Sequence, residues 1–257
     1  MPKSWREFWR DSLPAAVAGV SALVVRLLYF NAFAKSVLYL PPPGSGHDRS
    51  LYAEAIKAAT EGRFLPDGAL EFLPLYPWLA GILQPVFGSG PAAAATFGII
   101  CDVLTTVLIV ALARRLGAGR LASAAAGLAF AFYPLACVYS LLTMPNTLNA
   151  LGLTLLAFAG HALLEKPAPE QADGVTSARA PWIFAALGLL GGVLTLGFAG
   201  LLLIGFALAA LVGLHTRSWK APALLLAGWF LPLLPVAWHN SRAEGSFVLL
   251  TTHGGFN

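Results

Sequence analysis

Charged side chains are scarce in this sequence. Asp, Glu, Lys and Arg together supply only 11% of the residues, whereas hydrophobic residues supply 58%. Soluble domains carry roughly 25% charged residues, and a soluble fold of this length could not bury so much apolar surface. The composition therefore excludes an ordinary soluble domain and predicts a chain that a lipid bilayer partly solvates.

Cysteine is scarce as well, with only Cys101 and Cys137, both in apolar stretches. So few thiols argue against a disulfide framework or a cysteine metal site and favour buried free thiols. The 16 basic residues lie between apolar stretches, with the exception of Arg26. That spacing is typical of membrane topology and argues against a nucleic-acid partner.

Seven apolar runs predict an all-α, polytopic membrane bundle that forms a single module over residues 1–257. Most of them have roughly the length that crosses about 30 Å of hydrocarbon. Residues 74–88 are apolar but short and rich in proline, which favours an interfacial or re-entrant helix. The two short runs within 181–214 predict either a tight helical hairpin or one bent element. The predicted spans are 13–34, 92–113, 121–141, 147–164, 181–197, 198–214 and 221–238.

The basic residues predict the orientation, because cytoplasmic loops carry an excess of Lys and Arg. If 74–88 does not cross, ten basic residues lie inside and five outside; if it crosses, most of them lie outside. The first arrangement is favoured. It places the amino terminus in the cytoplasm, and the loop 35–91 and the tail 239–257 on the outer side.

The outer loop contains a predicted surface helix. Leu51 to Ala59 are good helix formers with an apolar face formed by Leu51, Ala55, Ala58 and Ala59, and Gly62 ends the helix. Asp48 stands at or just before its start. The carboxylate can be an N-cap, a base at the mouth of a membrane cavity, or both.

Two charged residues, Arg26 and Asp102, fall inside predicted spans, where an unpaired charge is unfavourable. One interpretation is that they face each other or a helix carbonyl. The other is that Arg26 lines a polar cavity and meets an anionic ligand. The tail offers a similar choice. His239 and Arg242 are either part of a helix end and an extended piece, or groups suited to bind a phosphate or a sugar.

Several short motifs, in this order and spacing, resemble the GT-C superfamily. The resemblance is closest to polyprenyl-phosphate-sugar-dependent transferases of the 4-amino-arabinose transferase and protein O-mannosyltransferase type, and it covers nearly the whole chain. The motifs are Arg26-Leu27-Leu28-Tyr29, Asp48 to Tyr52, Gly62-Arg63-Phe64, Leu73-Pro74-Leu75-Tyr76-Pro77, Tyr133-Pro134, Tyr139-Ser140, His239-Asn240, Gly245 and Thr251 to Asn257.

The resemblance implies a membrane glycosyltransferase, or its amino-terminal module, in a bacterial plasma membrane. Its donor would be a sugar on a polyprenyl phosphate, and its acceptor a hydroxyl on a lipid, glycan or protein. Asp48 would deprotonate that hydroxyl, which would displace the lipid phosphate with inversion. Lys57, His239 and Arg242 would contact the phosphate, and Arg26 is a further candidate for substrate binding.

The sequence also departs from the family. Many relatives carry an acidic residue where this chain has Asn146, so the use of a divalent metal ion is an open expectation and no metal ligand is assigned. Relatives are about twice as long, and this chain ends directly after a glycine-rich turn, as an incomplete fold would. The alternative is a catalytically silent relative that serves as a subunit beside partner membrane chains. A transporter or channel is a weaker third option, since no internal repeat or charge relay is evident.

Overall fold

The computed structural model describes residues 5–36, 48–88, 90–164 and 181–252, with side chains from residue 12 onward. Several sequence predictions lie outside the described residues: the turn-rich segment 41–46, His47, the polar linker 167–180 and the last residues of the tail, 253–257. The described residues form eleven helices and no strand, so the predicted all-α class is confirmed. The helices are α1 Trp5–Phe33, α2 Asp48–Thr60, α3 Leu75–Phe87, α4 Pro91–Arg115, α5 Arg120–Ala131, α6 Pro134–Tyr139, α7 Asn146–Leu164, α8 Pro181–Thr195, α9 Leu201–Thr216, α10 Lys220–Phe230 and α11 Leu233–Glu244.

Three of these helices are long and apolar enough to cross a membrane: α1 over Ser12–Phe33, α4, and α7. A fourth candidate consists of α10 and α11, which meet at a bend of 48°. The helices α5, α8 and α9 are apolar but shorter. Three to four candidate spans are thus found among the described helices, and the predicted count of seven is not confirmed.

The predicted span 121–141 is interrupted rather than continuous. Helix α5 ends at Ala131, Tyr133 is extended with φ −68° and ψ 113°, and Pro134 begins α6. A proline disfavours the helical conformation of the residue before it, because its ring clashes with that residue's backbone. Tyr133-Pro134 therefore breaks the span into two short helices.

Helix α2 lies where the sequence predicted a helix, and it ends as predicted at Gly62. Gly62 has φ +81°, the left-handed conformation that glycine adopts without strain. The Gly62 and Arg63 amides donate to the Ala59 and Ala58 carbonyls at 3.0 and 2.8 Å. These two bonds satisfy carbonyls at the helix end, as in a Schellman motif.

The buried face of α2 differs from the predicted one. Tyr52, Ile56 and Ala59 are buried, whereas Leu51, Ala55 and Ala58 are only half-buried. The buried positions follow the i, i+4, i+7 spacing of one helical face. The large side chains of Tyr52 and Ile56 thus set the buried stripe, and counting alanines as the apolar face placed it wrongly.

The chain forms two compact units. The first comprises residues 1–63 and 76–155, and within it α1, α4 and α5 pack together. Close approach is possible because Gly127 has no side chain: a Cβ there would lie 2.4 Å from Val110 Cγ2 and 2.9 Å from the Ala18 Cβ. Small residues allow such close packing between membrane helices.

The second unit comprises residues 64–75 and 156–257. Its α8 and α10 are in close contact, with Trp229 fully buried between glycines. A Cβ at Gly191 or Gly205 would lie within 2.4 to 2.7 Å of the Trp229 ring. The helices of this unit therefore assemble around one aromatic side chain.

Candidate active site

Asp48 is the first residue of α2, and its side chain is exposed. Among the described residues its carboxylate makes no hydrogen bond or ion pair, including the capping bond that the sequence suggested. At 100° per residue, Asp48 continues the buried stripe of Tyr52, Ile56 and Ala59 by one turn. The Asp48 carboxylate therefore lies at the exposed end of the helix face through which α2 packs against the rest of the first unit.

Two tyrosines hold that face against the rest of the first unit. The Tyr52 and Tyr76 rings meet edge to face, with centroids 5.7 Å apart, and Tyr76 lies 6.0 Å from the Phe97 ring. Burial, together with the negative charge of Asp48, raises the pKa of Tyr52 to about 12. Tyr76 of α3 therefore supplies a buried aromatic support for the helix that begins at Asp48.

Close contacts near the other end of α2 complete this support. A Cβ at Gly81 would lie 2.6 Å from the Ala59 Cβ and 3.0 Å from the Ile56 carbonyl oxygen, so only glycine fits between the helices. The Thr60 hydroxyl lies 2.9 Å from both the Ile56 carbonyl oxygen of α2 and the side-chain amide of Gln84 on α3. Contacts at both ends of α2 fix the position from which Asp48 projects.

A small cavity of about 70 Å³ lies within the first unit. Its lining is mostly alanine and other apolar residues. It includes α2 at Ala53 and Ile56 but does not include Asp48. At 1.5 Å per residue, Asp48 lies about 7 to 12 Å from these two residues along the axis of α2, towards its amino end. The full lining is Ala53, Ile56, Ala80, Gln84, Phe87, Gly90, Pro91, Ala93, Ala94, Phe97 and Thr143.

Lys57 lies on α2 nine residues after Asp48 and is exposed. This separation places the two residues on opposite sides of the helix axis. Lys57 is instead a neighbour of Ala53, one turn before it, at the edge of the cavity. The hydrogen bond from Arg63, with the charges of Arg63 and Lys57, lowers the pKa of the exposed Glu61.

Arg26 is fully buried and occupied by protein partners. Its guanidinium pairs with the Asp102 carboxylate at 2.9 Å and donates to the Ala131 and Phe130 carbonyls, the latter at 3.3 Å. The structural interpretation is therefore correct in both of its forms, because Arg26 contacts Asp102 and also helix carbonyls. This geometry argues against the predicted substrate-binding role, because no face of the guanidinium reaches solvent.

His239 and Asn240 join segments of the second unit. The His239 Nε2 lies 3.0 Å from the Gly68 carbonyl oxygen, which fixes that nitrogen as the donor. The fully buried Asn240 accepts from the Leu70 amide at 2.9 Å and donates to the Leu250 carbonyl at 2.6 Å. The motif His239-Asn240 thus has a structural use that sequence reasoning missed, because its partners lie up to 171 residues away.

Arg242 is exposed on the last turn of α11 and pairs with no described acidic residue. Asn146, the first residue of α7, is also exposed. Within the part of the chain that the structure describes, no three His, Cys, Asp or Glu side chains come together as a metal-binding group. These residues do not fit a protein-held metal centre.

Long apolar helices with a buried ion pair define this chain as a polytopic membrane protein. The family model described as dolichyl-phosphate-mannose-protein mannosyltransferase matches residues 71–239, well over half of the chain. The chain belongs to this family, which is a GT-C family of membrane glycosyltransferases, and the resemblance drawn from the sequence is confirmed. No curated protein and no solved structure matches the chain.

The matched range contains Asn146 and His239 but not every candidate site residue. Arg26, Asp48, Lys57 and Arg242 lie outside residues 71–239. Family membership therefore does not test their roles, which stay predictions.

Proposed function

We propose that this protein transfers a sugar from a polyprenyl-phosphate donor to a hydroxyl on a lipid, glycan or protein acceptor at the outer side of the membrane. The observation that carries the proposal is Asp48. It is an exposed carboxylate without a hydrogen-bonding partner among the described residues, at the start of a helix held from behind by Tyr52 and Tyr76. Family membership, which makes the chain a membrane glycosyltransferase, does not favour the silent-subunit alternative.

In the proposed reaction, Asp48 accepts the proton of the acceptor hydroxyl. The oxygen attacks the anomeric carbon, and the bond from that carbon to the phosphate oxygen breaks. The electron pair leaves with the polyprenyl phosphate, and the configuration of the sugar inverts. A positioned carboxylate suits this role because it takes the proton as the new bond forms.

The negative charge on the leaving phosphate calls for cations or hydrogen-bond donors. Lys57 belongs to the same unit as Asp48 but lies on the opposite side of α2, and it is one candidate for this role. His239 and Arg242 belong to the second unit and are further candidates. Arg26 is not proposed for the role, because its guanidinium is already bound to Asp102 and two carbonyls.

We also propose that the amino terminus is cytoplasmic, that Asp48 and Arg242 lie on the outer side, and that the membrane is the plasma membrane. The distribution of Lys and Arg supports this orientation. No step of the reaction is routed through a divalent metal ion.

The test is sugar transfer by the purified full chain from a polyprenyl-phosphate-linked sugar, with wild type compared to Asp48→Asn. Loss of a general base typically lowers the rate by about 10²- to 10⁴-fold, and we expect a loss in this range with an unchanged melting temperature. Asp67→Asn is the matched control, because Asp67 is another exposed carboxylate of the outer loop. Equal rates for wild type and Asp48→Asn would remove Asp48 from the mechanism.

A further inference from the structure

Helices α8 and α10 of the second unit begin at the same end of that unit. A Cβ at Gly188 would lie 2.0 Å from the Leu225 carbonyl oxygen, and a Cβ at Gly192 would lie 2.0 Å from the Trp229 carbonyl oxygen. Both contacts advance by one turn, in the same direction along the two helices. The two helices therefore run parallel.

Helix α9 runs in the opposite direction between them. A Cβ at Gly205 would lie 2.7 Å from Cε2 of Trp229, whereas a Cβ at Gly213, further along α9, would lie 3.5 Å from Cγ of Pro222 near the start of α10. The end of α9 thus meets the start of α10. The turn that joins them, residues 217–219, lies at the end of the unit where α8 also begins.

Two exposed tryptophans lie at this end. Trp182 of α8 and Trp219 of the turn are 68% and 75% exposed. Trp182 precedes Gly188 by six residues and Trp219 precedes Leu225 by six, so the two indoles lie within about one turn of each other along the helix axes. Exposed tryptophans of membrane proteins are enriched at the level of the lipid headgroups. The pair therefore marks that level on the second unit.

Arg217, in the same turn, has an unfavourable backbone conformation. It is left-handed, with φ 50° and ψ 32°, and it is the only residue other than glycine with a positive φ in the part of the chain that the structure describes. Gly245 takes this conformation at the end of α11, without the strain that a side chain adds. Such strain is typically retained where the side chain has a function, so the guanidinium of Arg217 should have a use that glycine could not supply.

The turn is positively charged. The side chains of Arg217 and Lys220 are exposed, and neither pairs with an acidic side chain within the described ranges. The backbone around them is organised, since the Lys220 amide donates to the Ser218 hydroxyl at 3.3 Å. Arginine and lysine form strong, charge-assisted hydrogen bonds with phosphate oxygens. The turn thus offers two cations to a phosphate at headgroup level.

An exposed apolar stripe leads along α9 to this turn. It consists of Leu203, Phe206, Ala210 and Leu214, which follow the spacing of one helical face, and it ends one turn before Arg217. At 1.5 Å per residue the stripe is about 17 Å long. One leaflet supplies about half of the roughly 30 Å of hydrocarbon in a bilayer. The stripe therefore matches the length of one acyl chain.

We propose that this surface binds an anionic diacyl phospholipid of the surrounding bilayer, with its phosphate at Arg217 and Lys220 and an acyl chain along the α9 stripe. This site goes beyond the proposed function, because the lipid takes no part in sugar transfer. The proposed orientation would place the turn on the cytoplasmic side, where anionic lipids attract basic segments beside membrane helices.

The experiment measures how strongly phosphatidylglycerol is preferred over phosphatidylcholine beside these tryptophans. The full chain is reconstituted in phosphatidylcholine vesicles that contain a small fraction of either lipid brominated near the headgroup end of its chains. Bromine quenches the fluorescence of indoles that it contacts. The quenching that is lost when Trp182→Phe and Trp219→Phe are combined reports this surface, and the ratio for the two brominated lipids gives the preference.

The test variants are Arg217→Gly and Lys220→Gln, each measured with and without the two tryptophans. A basic side chain near an anionic membrane surface contributes about fivefold in binding, so we expect each variant to lower the preference about fivefold. Lys35→Gln is the matched control, because Lys35 is an exposed lysine of the first unit; it should leave the preference unchanged.

Melting temperatures in detergent without phosphatidylglycerol separate lipid binding from a structural role of Arg217. Glycine adopts the left-handed conformation without strain, so Arg217→Gly should melt no lower than wild type while it loses the preference. A lower melting temperature with an unchanged preference would show that Arg217 only ends α9, and would overturn its assignment.

Three further results would overturn the lipid site. The first is the wild-type preference in both Arg217→Gly and Lys220→Gln. The second is an equal loss in Lys35→Gln, which would indicate a general effect of charge. The third is loss of the preference when sn-glycerol 3-phosphate is added at constant ionic strength, which would indicate a site for soluble phosphates. None of these measurements depends on sugar transfer, so the proposed function and the lipid site can fail separately.

Discussion

The Trp229 indole N–H donates to the Thr195 hydroxyl at 2.8 Å inside the second unit. Both residues are fully buried, and the bond satisfies a donor that would otherwise lie unpaired in the interior. The Thr195 hydroxyl in turn donates to the Gly191 carbonyl at 2.8 Å. The largest fully buried side chain of this unit is thereby tied to α8, and the glycines around it allow the helices to approach.

That close approach predicts a large effect of a single methyl group at Gly188. A Cβ there would lie 2.0 Å from the Leu225 carbonyl oxygen, and backbone cannot move aside as a flexible side chain can. We expect Gly188→Ala to lower the free energy of unfolding by at least about 2 kcal/mol, measured by denaturation in detergent micelles. Gly160→Ala is the control, because its Cβ would lie at an ordinary 3.6 Å from Leu208 Cδ1. Equal stability of the two variants would contradict the packing described for α8 and α10.

The buried ion pair of the first unit predicts a penalty for losing either partner. Asp102→Leu leaves the Arg26 guanidinium buried without its counter-charge, and we expect a loss of about 3 to 5 kcal/mol in unfolding free energy. The matched control is Asp67→Leu at an exposed carboxylate, for which the change should stay within about 0.5 kcal/mol. A mild effect of Asp102→Leu would show that Arg26 is satisfied by the Phe130 and Ala131 carbonyls alone.

We expect substitution of Asn240 to change hydrogen exchange locally rather than across the whole chain. Asn240→Leu removes the acceptor for the Leu70 amide and the donor for the Leu250 carbonyl, so segments 64–75 and 246–252 lose their shared anchor. Hydrogen exchange should become faster in these two segments and stay unchanged in α4 and α5. Ser241→Ala, which removes only the weaker bonds to Val248, should accelerate exchange near residue 248 alone. Unaltered exchange at Leu70 in Asn240→Leu would count against this anchor.

The raised pKa of Tyr52 predicts a dependence of stability on alkaline pH. An unfolded tyrosine ionises near pH 10, whereas burial and the charge of Asp48 raise the pKa of Tyr52 to about 12. Between these values the unfolded chain releases a proton that the folded chain keeps. The contribution of Tyr52 to stability is therefore complete below pH 10 and falls as the pH rises from about 10 to 12.

Tyr52→Phe cannot release this proton and should lose less stability over the same window. The difference between the wild-type and variant slopes, measured by denaturation at several pH values, isolates Tyr52 from the other tyrosines. Parallel slopes would show that the phenol is accessible to water in the folded chain.

Sequence reasoning located helix α2 because the information for it is local. Good helix formers follow Asp48, and Gly62 supplies the left-handed residue at the end. The buried face of α2 was predicted wrongly because alanine is found on both buried and exposed faces of helices. Which face is buried depends on α3, whose Tyr76 and Gly81 contact Tyr52 and Ala59.

The membrane spans were predicted less well where a continuous apolar run contains a break between two helices. A run of apolar residues reads as one helix, but the Tyr133-Pro134 dipeptide ends α5 and starts α6 inside such a run. For Arg26, the sequence raised the pairing with Asp102 as one of two interpretations, and the structure shows it. The cavity could not be predicted, because its lining comes from four separate stretches between Ala53 and Thr143.

The break between α5 and α6 has a mechanical consequence for α1. The last carbonyls of α5 at Phe130 and Ala131 accept from the guanidinium of Arg26, which also holds Asp102 of α4. Sliding α1 by one turn, about 5.4 Å, would take the guanidinium away from the Asp102 carboxylate and the Ala131 carbonyl, whereas the Phe130 carbonyl would keep the Tyr133 amide as a donor at 3.1 Å. A movement that keeps these bonds therefore carries α1, α4 and α5 together.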